Sequence, residues 1–244
     1  MMGKKNGTQQ SGFTIIEIMI ATLVFSTILI VITAGVLKFT SDYYRGVNSS
    51  ATQGVAASIV NTIAQAIQVS GGPSTQTSTT DSVGSYFCVG TKEFVAFVGY
   101  QEPAPSGQNA GFFVFTPAGN TPGQGCTSTP LSDNNWNKGQ DLLQPHMRLV
   151  NLDVHQQQDT TISITTAVTF GDPDLLCDSS VPEPNAYGCL PGDTAFDDPT
   201  LADALQPQPL GALVVSPSNL QCKIQSGSQF CSVANLSTSV QPRL

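Results

Sequence analysis

The chain has 244 residues, only 11% of them charged, and a net charge of −8. All 17 acidic residues lie at or after Glu17, and beyond Arg45 the cations are Lys92, Lys138, Arg148, Lys223 and Arg243, widely scattered. This balance argues against a general nucleic-acid binder, which needs clustered Lys and Arg against phosphate.

The first twelve residues (MMGKKNGTQQSG) form a polar leader whose charges are Lys4 and Lys5. The apolar zone opens abruptly at Phe13, and Ile18–Leu37 holds 20 consecutive uncharged residues. At about 1.5 Å per helical residue these span ~30 Å, the thickness of a bilayer core. The basic flank predicts a cytoplasmic N-terminus, with the remainder outside. No small-x-small cleavage site after the span is evident, so an ordinary secretory signal does not explain the segment. Glu17 lies inside the apolar zone. A carboxylate there costs ~2.5–3.5 kcal/mol on insertion scales, so it calls for a partner.

The string Gly12-Phe13-Thr14-Ile15-Ile16-Glu17, followed by the apolar span, resembles the class III signal of type IV prepilins and pseudopilins. The resemblance covers about 30 residues, so it points to the class and not the member. It implies cleavage after Gly12 by a prepilin peptidase and methylation of the new amine on Phe13. It also implies that Glu17 meets the N-terminal amine of a neighbouring subunit as the helix leaves lipid for a filament core. The leader's removal would leave 232 residues, with 7 basic against 17 acidic side chains.

Beyond Leu37 the helical signal continues. Val47, Ala51, Val55, Ile59, Ile63 and Ile67 recur every four residues, with Val60 and Ala66 widening the stripe. Such a stripe predicts an amphipathic helix with one face on a core. Thr52, Gln53, Ser58, Asn61, Thr62, Gln65 and Gln68 make up the opposite, polar face, and Gly71-Gly72-Pro73 ends the helix. Residues 13–70 are thus predicted as one helix, with Gly35, Gly46 and Gly54 as its weak points.

Residues 73–84 read as a polar loop. Strands are predicted over 85–89, 93–100, 111–116, 147–155 and 160–170, with a short sixth over 210–216. The segment 156–159 is a hairpin connection between the two longest, whose apolar alternation is imperfect. The segments 117–146 and 171–209 read as irregular, the second as an acidic, proline-rich surface region. The tail after Ser218 is expected to finish as a turn of helix. A helix followed by an antiparallel sheet is an α+β pattern, and the resemblance implies the same: a pilin head of about four strands laid on the C-terminal half of the long helix.

Six cysteines, Cys88, Cys126, Cys177, Cys189, Cys222 and Cys231, all follow the span, without the C-x-x-C pairs a zinc site needs. An even number in an exported, loop-rich domain reads as disulfides. Proximity favours Cys88–Cys126, Cys177–Cys189 and Cys222–Cys231, although six cysteines allow about 15 pairings. A staple near the C-terminus agrees with the family resemblance.

Metal ligation has only a weak claim. Asp172, Asp174 and Asp178, then Asp193, Asp197 and Asp198, supply carboxylates for calcium, but without EF-hand spacing. No cofactor is expected. Catalysis is not expected either, because His146 and His155 stand beside strands and no nucleophile-elbow or phosphate-loop motif occurs. Asn48 and Asn235 head N-x-Ser/Thr triplets that arise easily by chance.

The sequence therefore predicts a leader (1–12), a transmembrane and filament-core helix (13–37), an amphipathic helix half (38–72) and a globular head (73–244). The expected function is that of a structural subunit of a type IV pilus, with the length and the 171–209 insertion pointing to a minor one. Its expected partners are other pilin subunits, the prepilin peptidase, an inner-membrane assembly platform and lipid before assembly. The rivals are a minor pseudopilin of a type II secretion system, a competence-pilus subunit in DNA uptake, and a plain single-span membrane protein or anchored enzyme. The expected location is a single-pass membrane protein with its head outside, then an extracellular pilus or a periplasmic pseudopilus.

Overall fold

The computed structural model describes residues 13–70, 85–99, 110–116, 138–156, 160–172, 175–178, 220–223 and 228–243. Gly12, the predicted 210–216 strand, Cys126, Cys189, Asp174 and Asp193, Asp197 and Asp198 lie outside them. Among the described residues one α-helix, α1 (Ile15–Ser70), precedes nine strands. They are β1 (Ser85–Val89), β2 (Lys92–Phe97), β3 (Gly111–Phe115), β4 (Gln140–Asp141), β5 (Met147–Gln156), β6 (Ile162–Phe170), β7 (Leu176–Asp178), β8 (Leu220–Cys222) and β9 (Ser232–Val240). The chain divides into two compact units between Tyr43 and Tyr44, with α1 contributing to both.

The helix begins two residues later than expected, at Ile15, and continues unbroken through Gly35, Gly46 and Gly54. Among 44–70 it buries Thr52, Val55, Ala56, Ile59, Val60, Ile63, Ala66 and Ile67. The predicted stripe is therefore largely the buried face, with two corrections. Val47 is exposed, so the packed face starts a turn later. Thr52, assigned to the polar face, is fully buried, because its hydroxyl donates to the Asn48 carbonyl one turn back, at 2.7 Å, and needs no other partner.

This face packs on antiparallel sheets, and the architecture is α+β as predicted. One sheet has the order β1-β2-β3-β4, a second β5-β6-β9, and β7 and β8 pair as a small ribbon. The first hairpin turns through Gly90-Thr91, with Gly90 at φ 63°, where an added Cβ would press on the Ser70 side chain at the end of α1. Phe94 is fully buried between Phe87 (ring centroids 4.9 Å) and Phe112 (6.0 Å). These rings join Ile59, Ile63, Met147, Leu149, Leu152, Ile162, Ile164 and Val168 in the main core.

The imperfect alternation of β5 has a specific cause. Its register on β6 shifts between Leu149 and Asn151, leaving Val150 as a β-bulge. Met147 and Leu149 before the bulge, and Leu152 and Val154 after it, consequently face one core. Val150 itself joins Ala167, Leu176, Leu220 and Cys231 in a second, smaller cluster. β6 is buried along most of its length because both clusters use it.

The tail departs from expectation. In place of a turn of helix it forms a 3-10 turn at Ser228–Phe230 and the nine-residue strand β9, paired along all of β6. Part of the region expected to be surface loop also differs, since Leu176 and Cys177 of β7 are fully buried. The irregular 117–146 segment contributes β4, whose Asp141 Oδ1 accepts from the backbone N–H groups of Phe112 (3.1 Å) and Leu143 (3.0 Å).

Burial of Asp141 pushes its carboxyl above the usual range, against the lowering effect of the backbone N–H groups of Leu143, Phe112 and Leu142. A raised folded-state pKa favours the fold fully below the unfolded value of 3.8 and ceases to do so as pH rises through the folded value. Asp141→Asn keeps the accepting oxygen and removes the charge. In urea melts its stability relative to the parent chain should rise between about pH 4 and pH 7. A constant difference across that window would refute this account of Asp141.

Candidate functional site

Phe13 precedes the helix and is 85% exposed. Thr14 follows as the residue that caps α1. Its backbone N–H and its hydroxyl both donate to Glu17 Oε2, each at 2.9 Å, while the Glu17 N–H donates to Thr14 Oγ1 at 3.3 Å. This reciprocal arrangement is a capping box: Thr at the cap, Glu three residues on, each satisfying an N–H that the first helical turn leaves open. The T-x-x-E spacing that signals it is legible in the sequence. Within this chain Glu17 is already held, through one oxygen, by its own helix terminus.

Past the cap, Glu17 lies in a shallow apolar groove of about 420 Å³ lined by Phe13, Glu17, Ile18, Ala21, Thr22 and Phe25. The apolar side chains from Phe13 to Leu37 are exposed throughout, from Leu29 at 45% to Phe13 at 85%. A contiguous apolar surface of this length is not left in water, so lipid or other protein must cover it. By length and composition α1 can cross a membrane.

Every hydroxyl within the uncharged stretch turns back to its own helix. Thr22 donates to the Met19 carbonyl (3.0 Å), Ser26 to Thr22 (2.7 Å), Thr27 to Val24 (2.8 Å) and Thr33 to Leu29 (2.8 Å). These bonds remove the cost of unsatisfied hydroxyls in hydrocarbon. The first charge after the stretch, Lys38, pairs with Asp42 one turn on, at 3.0 Å, on the helix surface.

Among the described residues, the two histidines are not brought together. His146 precedes β5 with φ 65° and its ring meets Phe170 edge-on, whereas His155 near the far end of the strand bonds Asp153 at 2.9 Å in solvent. No group of three or more metal-ligating side chains occurs among the described residues. Asp172 is exposed and Asp178 ends β7.

Cys222 and Cys231 are bonded, with Cα atoms 5.8 Å apart. Cys88 and Cys177 are also in disulfides, whose partners lie outside the described residues. Asn48 donates its side-chain amide to the Gln229 carbonyl at 2.8 Å, which engages the nitrogen a glycan would need. Glu93 on β2 and Arg148 on β5 are buried, which nothing in the sequence pattern signals; Arg148 Nη1 donates to the Gly99 carbonyl at 3.4 Å.

A scan against protein-family models, a search of curated proteins and a search of solved structures each return no match for this chain.

Proposed function

We propose that the chain is a structural subunit of a type IV pilus-like filament, a minor pilin, held in the membrane by α1 before it joins other subunits. The observation that carries this reading is the combination at the start of α1: an aromatic residue, a capped helix terminus and a carboxylate at the head of a long, uncovered apolar surface. In lipid that surface is solvated. In a filament it is covered by other copies of the same helix type, and the Glu17 oxygen not used by Thr14 is available to a neighbouring amine.

On this reading the leader stays cytoplasmic, the peptidase cuts after Gly12, Phe13 carries the methylated amine, and the head lies outside. The role is assembly and not catalysis. A minor pseudopilin of a secretion system has the same N-terminal chemistry; surface pili seen by microscopy separate the two. DNA uptake is the weaker reading, because Arg148 is buried and removes one of only five cations beyond Arg45.

N-terminal mass spectrometry of the mature chain tests the class. The expected result is a chain beginning at N-methyl-Phe13. A mature chain that still begins at Met1 would sink the proposal and favour a plain single-span anchor.

A further inference from the structure

The 3-10 turn Ser228–Phe230 is held on four sides. The Cys222–Cys231 disulfide ties its C-terminal end to β8 across nine residues. The Gln229 carbonyl accepts from Asn48 on α1, a contact between residues 181 positions apart. The Phe230 ring lies against Tyr44 with centroids 6.0 Å apart. On the remaining side Gly171, just after β6, has φ 102°, and an added Cβ there would collide with the Phe230 carbonyl oxygen. The turn therefore meets the side chains of Tyr44 and Asn48, among the first helical residues of the head-bearing unit, one turn before the main-core face begins at Thr52.

We infer that the turn 228–230, stapled by Cys222–Cys231, is a redox-dependent clamp on α1 at Tyr44 and Asn48. Asn48 and Tyr44 lie outside the core-packed face, and the side chains on either side of them are mostly exposed. The disulfide adds a covalent tie to the turn that meets them. Without the bond the 3-10 turn loses its covalent tie to β8, and the entropy cost of holding the Gln229 carbonyl and the Phe230 ring on the helix rises.

The two cysteines are not equally buried. Cys231 is 2% exposed, whereas Cys222 is partly exposed. An incoming dithiol reductant therefore attacks the Cys222 sulfur, forming a mixed disulfide and releasing Cys231 as a thiolate. The second thiol of the reductant then displaces Cys222 and closes the reductant's own disulfide. Two electrons pass to the protein, and each freed thiolate takes a proton from water. The reverse exchange, with an oxidised dithiol, sets the clamp. A chain that reaches an oxidising compartment thus fixes this turn of helix only after its C-terminal cysteines have arrived there. The inference does not depend on which filament, if any, the chain enters.

Hydrogen exchange read by mass spectrometry on the full chain in detergent tests it. In Cys222→Ser/Cys231→Ser, amides of residues 44–51 should exchange about five- to tenfold faster, the loss of one hydrogen bond and one ring contact, while those of 55–67 hold. Unchanged exchange in 44–51 overturns the inference. If the double variant instead loses protection throughout 55–67, Asn48→Ala/Phe230→Ala with the disulfide intact decides. The same local acceleration supports the clamp, and its absence overturns it.

Discussion

Glu17→Gln should insert into the membrane and start its helix at Ile15, yet be depleted from sheared filaments by more than about tenfold. On the proposed function the one carboxylate would have two roles. As the third helical residue, Glu17 accepts from the Thr14 N–H and hydroxyl at 2.9 Å, and a glutamine amide oxygen can do the same. What glutamine cannot supply is the negative charge that a neighbouring Phe13 amine would match. If an unmatched intramembrane charge costs even ~2.5 kcal/mol, the corresponding change in an assembly equilibrium is roughly seventyfold. The companion variant is Thr14→Ala, which removes the capping hydroxyl and keeps the charge. It should fray the first turn, at ~1 kcal/mol, and still reach filaments. Parental amounts of Glu17→Gln in filaments, together with loss of Thr14→Ala, would reduce Glu17 to a capping residue and remove the assembly role.

Phe94→Ala should cost ~3–5 kcal/mol, the range for deleting a buried aromatic ring. Phe94 has no exposed surface and stacks on Phe87 and Phe112, so the neighbours on both sides lose contacts at once. A cavity between two flat rings fills poorly, because each is fixed by its own strand. For a domain of this size the midpoint of thermal unfolding should fall by about 10 °C, measured by circular dichroism on detergent-solubilised chain. A shift below about 3 °C would mean that the sheet and helix close over the gap, and that the stack is not central to the core.

The parts of the molecule legible in the sequence were those with strong, local periodicity. The apolar span and the four-residue stripe of α1 needed only counting, since burial on one helix face repeats every turn. Even there Thr52 misled, because a hydroxyl that bonds the carbonyl four residues back can be buried like an apolar side chain. β6 was visible because Ile162, Ile164 and Val168 recur at strand spacing in a β-branched run, although Ala167, which reaches the smaller cluster, interrupts the alternation. β9 was missed because its inward positions alternate with Asn235, Ser237 and Ser239, which are exposed, and Thr238 adds another hydroxyl to the run, so its composition reads as loop. What fixes it is the full-length pairing with β6, a long-range fact.

At the candidate site the division is similar. Thr14 and Glu17 could have been paired from their spacing alone, since a capping box is a local device. The contact of Asn48 with Gln229 could not, because no periodicity relates residues separated by 181 positions. The disulfide at Cys222–Cys231 was legible from proximity, but its consequence for the helix required knowing where β8 and β9 place its loop.

The bulge at Val150 makes β5 unequal in its response to the loss of a residue. Removing any one residue from a regular strand inverts the facing of everything on one side of the cut. Val150 is the extra residue, and without it Met147, Leu149, Leu152 and Val154 would alternate without interruption with Arg148, Asn151 and Asp153. A deletion there forfeits one side chain of the smaller cluster and leaves the rest on their own faces. A deletion of Leu152, with the bulge kept, would instead turn Asp153, Val154 and His155 to the opposite faces.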